Sequence, residues 1–153
     1  TMWGFTEEGL AAIPTRKASV ALLMLTDYSQ RPEIDGPLLR LMERRYDHIY
    51  AWPQGTEDRA YLESLNFAGT LLDRSLEGLD GFVRGDIPFD YIGTRLHGGI
   101  RCLQSRRRSL ILEIDNRAAE IARDTGLPTL PRDDFKAIEG WIDGSAPVSL
   151  YST

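Results

Sequence analysis

Alternation constrains this chain more than any other feature. Short runs of strand-forming residues recur along it, and each is followed within a few residues by a helical pattern. The runs are Ser19 to Thr26, His48 to Trp52, Thr70 to Leu72, residues 88–93 and Ser109 to Ile114. The first is almost continuously apolar, as suits a strand buried on both faces. Between the runs, Pro37 fits the first turn of a helix reaching about Tyr46, with Leu38, Leu39, Leu41 and Met42 as its buried stripe. Thr56 is placed to cap a helix through Leu65, and Ser75 one through about Val83. A helix is expected from about Gly98 to Arg106. Another runs from Asn116 to Thr125, closed by Gly126 and Pro128, and a last one spans 133–142. Leu10 to Ile13 form a short helical turn before Pro14, and the tail after Gly144 is expected to be a frayed end or a docking arm. Strand and helix alternating with short connections predict an α/β protein with a mostly parallel sheet of five to six strands and helices on both faces.

Such sheets bind ligands beyond the C-terminal ends of their strands, where the strand order reverses. With the fourth strand beside the first, that crevice lies between Asp27-Tyr28, after strand one, and Thr94-Arg95-Leu96-His97, after strand four. The second of these stretches carries most of the chemistry. Phe89, Tyr91 and Ile92 read as a buried strand, Gly93 and Thr94 end it, and Gly98-Gly99 let a helix begin with its backbone close to another group. A helix N-terminus offers unpaired N–H groups and partial positive charge to an anion. Arg95 adds a forked cation suited to phosphate or carboxylate, and His97 a group that changes charge near neutrality.

Composition narrows the classes further. The 153 residues carry a net charge of −5, which argues against a general nucleic-acid or anionic-membrane binder. The longest apolar run, Val20 to Leu25, is too short to span a bilayer, and no signal-peptide pattern opens the chain. One cysteine and two histidines leave no internal disulfide and no metal-binding cluster to expect, so no metal is expected and the expected compartment is the cytoplasm. No Walker-type phosphate loop and no Gly-x-Gly-x-x-Gly fingerprint is present.

Other candidates are weighed against plainer roles. Asp115-Asn116-Arg117 follows strand five and so falls on the ligand edge; Asp115 also suits a helix N-cap. Trp52 reads as core rather than stacking platform, whereas Gln54 is placed to hydrogen-bond a ligand. Arg106-Arg107-Arg108 reads as solvated cations facing a helix dipole, with a basic rim as the sharper alternative. His48 reads as structural, and Cys102 as a small packed residue rather than a nucleophile.

Gly93-Thr94-Arg95-Leu96-His97-Gly98-Gly99-Ile100, the strand Ser109 to Ile114 and Asp115-Asn116-Arg117-Ala118 together resemble the polysaccharide pyruvyl transferase family. Leu25-Thr26-Asp27-Tyr28, Trp52-Pro53-Gln54-Gly55 and the opening Trp3-Gly4-Phe5 extend the resemblance over most of the chain. The resemblance implies one Rossmann-like domain over residues 1–153, the C-terminal lobe of a two-lobed enzyme like the GT-B glycosyltransferases. It implies transfer of a pyruvyl group from phosphoenolpyruvate to a sugar hydroxyl of a cell-envelope or exopolysaccharide glycan. The donor is a substrate rather than a cofactor, and an N-terminal lobe absent from this sequence is the implied partner. Arg95 and His97 are the implied catalytic residues. Thr94, Leu96, Gly98, Gly99, Asp115, Asn116, Arg117 and Asp27 join them in binding, with the N–H groups from Leu96 to Gly99 as the phosphate cradle. Two other readings of the same turn stand beside it: a nucleotide-sugar glycosyltransferase lobe and a non-catalytic anion-binding module.

Overall fold

The computed structural model describes residues 4–25, 30–145 and 147–150. Asp27 and Tyr28, and with them the expected contribution of the loop after the first strand, lie outside the described residues, as do Trp3 and Thr26. Six strands form one all-parallel sheet: β1 (Val20–Met24), β2 (His48–Ala51), β3 (Thr70–Leu71), β4 (Asp90–Gly93), β5 (Ser109–Glu113) and β6 (Thr129–Pro131). Their order is β3-β2-β1-β4-β5-β6. Among the described residues seven helices connect or flank them: α1 (Glu7–Ala11), α2 (Pro32–Arg45), α3 (Thr56–Ser64), α4 (Leu76–Val83), α5 (Leu96–Gln104), α6 (Asn116–Thr125) and α7 (Phe135–Asp143). The architecture is Rossmann-like, and the order reverses between β1 and β4, the neighbours on which the sequence argument relied. Among the described residues no helix is long and apolar enough to cross a membrane.

The two-residue period of the strands divides the core. Ala21, Leu23, Leu25, Ile92, Leu110 and Leu112 point to the face covered by α2, α3 and α7. Leu22, Met24, Tyr91 and Ile111 point to the other, where Leu79 and Phe82 of α4 and Cys102 of α5 meet them. A smaller cluster joins Phe5 and Ile13 to Ile100 and Leu103 of α5 and to Leu127; Val148 and Leu150 of the tail pack against it, so this part of the tail docks rather than frays.

Several boundaries differ from the sequence expectations. Helix α2 begins at Pro32, which takes the first-turn place expected of Pro37. Pro37 sits inside the helix on its exposed side, so the Glu33 carbonyl left without its N–H partner faces solvent. The cap expected of Thr56 belongs to Gly55, and the Asp58 carboxylate accepts the N–H groups of Gln54 at 2.9 Å and Gly55 at 3.3 Å. Ser75 caps α4 as expected, its hydroxyl accepting from the Gly78 N–H at 3.0 Å. Asp115 caps α6, and Gly126 closes it at φ 81°. Strand β6 has no counterpart among the runs read from sequence. It is three residues long, pairs only with β5 and ends on a proline that an edge strand tolerates.

The arginine run corrects its expected role most fully. Only Arg106 is exposed, in a left-handed conformation (φ 63°) that turns the chain out of α5. Arg107 lies 4.8 Å from the Phe89 ring centre and donates to the carbonyls of Val83, the last residue of α4, and of Gly85 and Ile87 beyond it. Arg108 is buried, pairs with Asp90 at 2.7 Å, lies 3.7 Å from the Trp141 ring centre and donates to the Trp141 carbonyl. These cations satisfy helix ends and a buried acid at the N-terminal edge of the sheet, away from the ligand edge.

Candidate functional site

At the C-terminal edge of the sheet a cleft of about 530 Å³ opens where the strand order reverses. Its floor is Met24 at the end of β1 and Leu112 in β5, and Trp52 and Gln54 border it after β2. The β4–α5 turn supplies Thr94, Arg95, Leu96, His97 and Gly98; the β5–α6 turn supplies Asp115 and Arg117. Thr94 to Gly98 and Asp115 with Arg117 thus line one cleft, while Asp27-Tyr28, expected opposite the first of these stretches, lies outside the described residues. Asn116 and Gly99 do not line it.

The turn is built from below. Tyr91 is wholly buried in β4, and its hydroxyl donates to the Arg95 carbonyl at 2.7 Å. The Thr94 N–H donates to the Met24 carbonyl at 2.9 Å, extending the β1–β4 pairing by one residue. Helix α5 then starts at Leu96, two residues before the expected Gly98, with Arg95 as its N-cap. The glycine pair explains how the helix sits so low on the sheet. A Cβ on Gly98 would stand 2.7 Å from Met24 Sδ, and one on Gly99 would stand 2.4 Å from Ile111 Cγ1. The close approach read from these glycines is thus to the sheet beneath α5.

The first-turn N–H groups of Leu96, His97 and Gly98 make no hydrogen bond in the described structure, whereas the Gly99 N–H donates to the Arg95 carbonyl at 3.1 Å. Three donors remain of the four expected in the cradle. They open on the cleft with the positive end of the α5 dipole behind them.

The side chains around these donors differ in kind. Arg95 has 19% of its side chain exposed and donates from Nη2 to Asp58 Oδ2 at 2.8 Å. His97 is exposed on the cleft wall. Arg117, with 70% of its side chain exposed, reaches Asp115 at 3.9 Å. Arg101 lines the cleft but is paired with Asp80 of α4 at 2.5 Å. Trp52 is buried and its indole N–H donates to the Ser75 carbonyl at 3.1 Å, a core role with one edge on the cleft. Cys102 is fully buried, and burial pushes its thiol up to about 12, which suits packing rather than nucleophilic chemistry. His48, the first residue of β2, holds Thr70 Oγ1 at 2.7 Å at the N-terminal edge of the sheet, the edge away from the cleft. Among the described residues no group of three or more His, Cys, Asp or Glu side chains is placed to hold a metal ion.

Two supporting residues were not singled out in the sequence. Asp58 holds Arg95 across the switch point, and Tyr91 fixes the N-cap carbonyl. The acid at the third position of α3 carried a readable capping signal; its partner 37 residues away did not. The cleft also has an apolar lining from Leu76, Leu79, Ile114, Ala118 and Ile121, of which Leu76 is 61% exposed. No family model, curated protein or solved structure matches this chain.

Proposed function

We propose that the cleft is the donor site of a pyruvyl transfer from phosphoenolpyruvate to a sugar hydroxyl. The carrying observation is the α5 N-terminus, where three N–H groups without partners open on the cleft beside Arg95. Phosphoenolpyruvate presents a phosphate and a carboxylate, each needing oriented donors. The N–H groups of Leu96, His97 and Gly98 receive one, and the Arg95 guanidinium the other. His97 lines the cleft and acts as proton donor or acceptor. The methylene carbon gains a proton, a first sugar hydroxyl adds to the neighbouring carbon, phosphate departs, and a second hydroxyl closes the ketal. The helix dipole and Arg95 take up charge on the departing phosphate. In this reading the acceptor sugar and the remainder of the site belong to a second, N-terminal lobe.

The size of the cleft favours a second reading. A volume of about 530 Å³ with an apolar wall exceeds what a three-carbon phosphoester fills, and suits a nucleoside diphosphate sugar whose ring lies against Leu76, Ile114 and Ile121. Calorimetric titration separates the two. Saturable phosphoenolpyruvate binding that Arg95→Gln and His97→Ala each abolish supports pyruvyl transfer. Nucleoside diphosphate binding with no response to phosphoenolpyruvate supports the glycosyltransferase reading. Phosphoenolpyruvate binding that both variants leave intact removes the β4–α5 turn from the donor site.

A further inference from the structure

An acidic residue in the first turn of a helix ordinarily faces water, yet the Asp58 side chain is only 4% exposed. Its Oδ2 accepts from the Gln54 N–H at 2.9 Å, the Gly55 N–H at 3.3 Å and Arg95 Nη2 at 2.8 Å. The first two are local and close the turn, a task that an uncharged side chain also performs. The third reaches from the end of β2 to the end of β4, the two strands that flank β1 at the cleft.

We infer that Asp58 is a positioning residue for the anion site: it holds the Arg95 guanidinium in one orientation at the cleft and ties the Gln54 turn to the same oxygen. The inference rests on the reading that Arg95 receives an anion. One hydrogen bond, from Nη2, joins the pair across two elements, and Asp58 Oδ1 and Arg95 Nε are both buried without a hydrogen-bond partner among the described residues. Gln54, carried on the bolted turn, lines the cleft beside Arg95. Because the pair is formally neutral, Arg95 contributes directed hydrogen bonds, and the α5 dipole supplies the net attraction.

The test combines phenylglyoxal, which modifies accessible guanidinium groups and is mapped by mass spectrometry, with phosphoenolpyruvate and inorganic phosphate titrations. In the unaltered chain Arg95 is expected to react about tenfold more slowly than Arg117, because it is held by hydrogen bonding and burial. In Asp58→Asn, whose amide oxygen still accepts from Gln54, Arg95 reacts at a rate approaching that of Arg117, whose own rate is unchanged. The same change weakens phosphoenolpyruvate binding about tenfold in the Arg95 chain and less than about twofold in Arg95→Gln, the non-additivity of two residues acting through one contact. Equal losses in both backgrounds, or an Arg95 rate indifferent to Asp58→Asn, overturn the inference. If Asp58→Asn does not fold, the unaltered chain decides: equal Arg95 and Arg117 rates overturn it. A chain that binds neither phosphoenolpyruvate nor phosphate defeats the reading of the cleft, while the modification rates still decide whether Asp58 holds Arg95.

Discussion

Cys102 and His97 lie five residues apart on one short helix and have opposite surroundings. His97 faces the cleft, whereas Cys102 faces the sheet with no exposed surface. Burial holds the thiol at about 12, against the downward pull of Arg107 and Arg101, from an ordinary value of 9.0. Between those values the folded chain keeps a proton that the unfolded chain loses, so stability is full below the lower value and falls as pH rises. The slope for one such group is about 1.4 kcal/mol per pH unit. Urea denaturation at about pH 8 and about pH 10 should therefore show a larger loss for the unaltered chain than for Cys102→Ala. Equal losses in the two chains remove the thiol as the cause. Tyr46 and Tyr91, whose phenols burial also pushes up, deepen the loss at still higher pH. Residue type and neighbours marked Cys102 as packed and Arg95 as a cation at a turn. Nothing local marked Asp58 as the partner of Arg95, because that contact closes only when β2 and β4 are both laid beside β1.

At the scale of the element, α5 decides where the donors point. Its glycines are poor helix formers, so local propensity favours a later start than the observed Leu96. Tertiary packing overrides that preference, because only small residues let the first turns settle on Met24, Tyr91 and Ile111. Gly99→Ala places a methyl 2.4 Å from Ile111 Cγ1, on a β-branched side chain fixed in a central strand. It should destabilise the fold by about 1–2 kcal/mol, the cost of overpacking less the helix gain of alanine. Gly98→Ala meets the flexible end of Met24 and should cost less. Chemical denaturation checks both, and Ile111→Ala should reduce the penalty of Gly99→Ala; a penalty that is unchanged in that background refutes the packing account. Strand β6 escaped the sequence reading for the converse reason, since three residues with one neighbour carry no periodicity of their own.

Across the whole molecule, the two edges of the sheet divide the labour. The C-terminal edge keeps unpaired donors and a cleft; the N-terminal edge carries a buried ion pair. Arg108 is the hub of that second edge, joining Asp90 at the start of β4 to Trp141 and the end of α7, while Tyr46 at the end of α2 donates to the same Asp90 carboxylate at 2.6 Å. Arg108→Ala leaves a buried acid without its cation and should cost about 3–5 kcal/mol. Urea denaturation gives the value, and Asp90→Asn in the same chain should recover part of it; a loss below about 1 kcal/mol places the pair in the class of solvated surface bridges.

By itself, the sequence determined the alternation and the parallel sheet, because hydrophobic period, caps and breakers are local signals that the strand-order rule extends to a sheet edge. Only the tertiary structure decided which cations face solvent. Three consecutive arginines at positions 106 to 108 look alike in sequence, yet one is solvated, one caps the end of α4 and one is buried with an acid. Arg95 is likewise paired with an acid from another element, Asp58 of α3. Burial and pairing depend on what the remainder of the chain brings alongside, and no window of neighbouring residues contains that information.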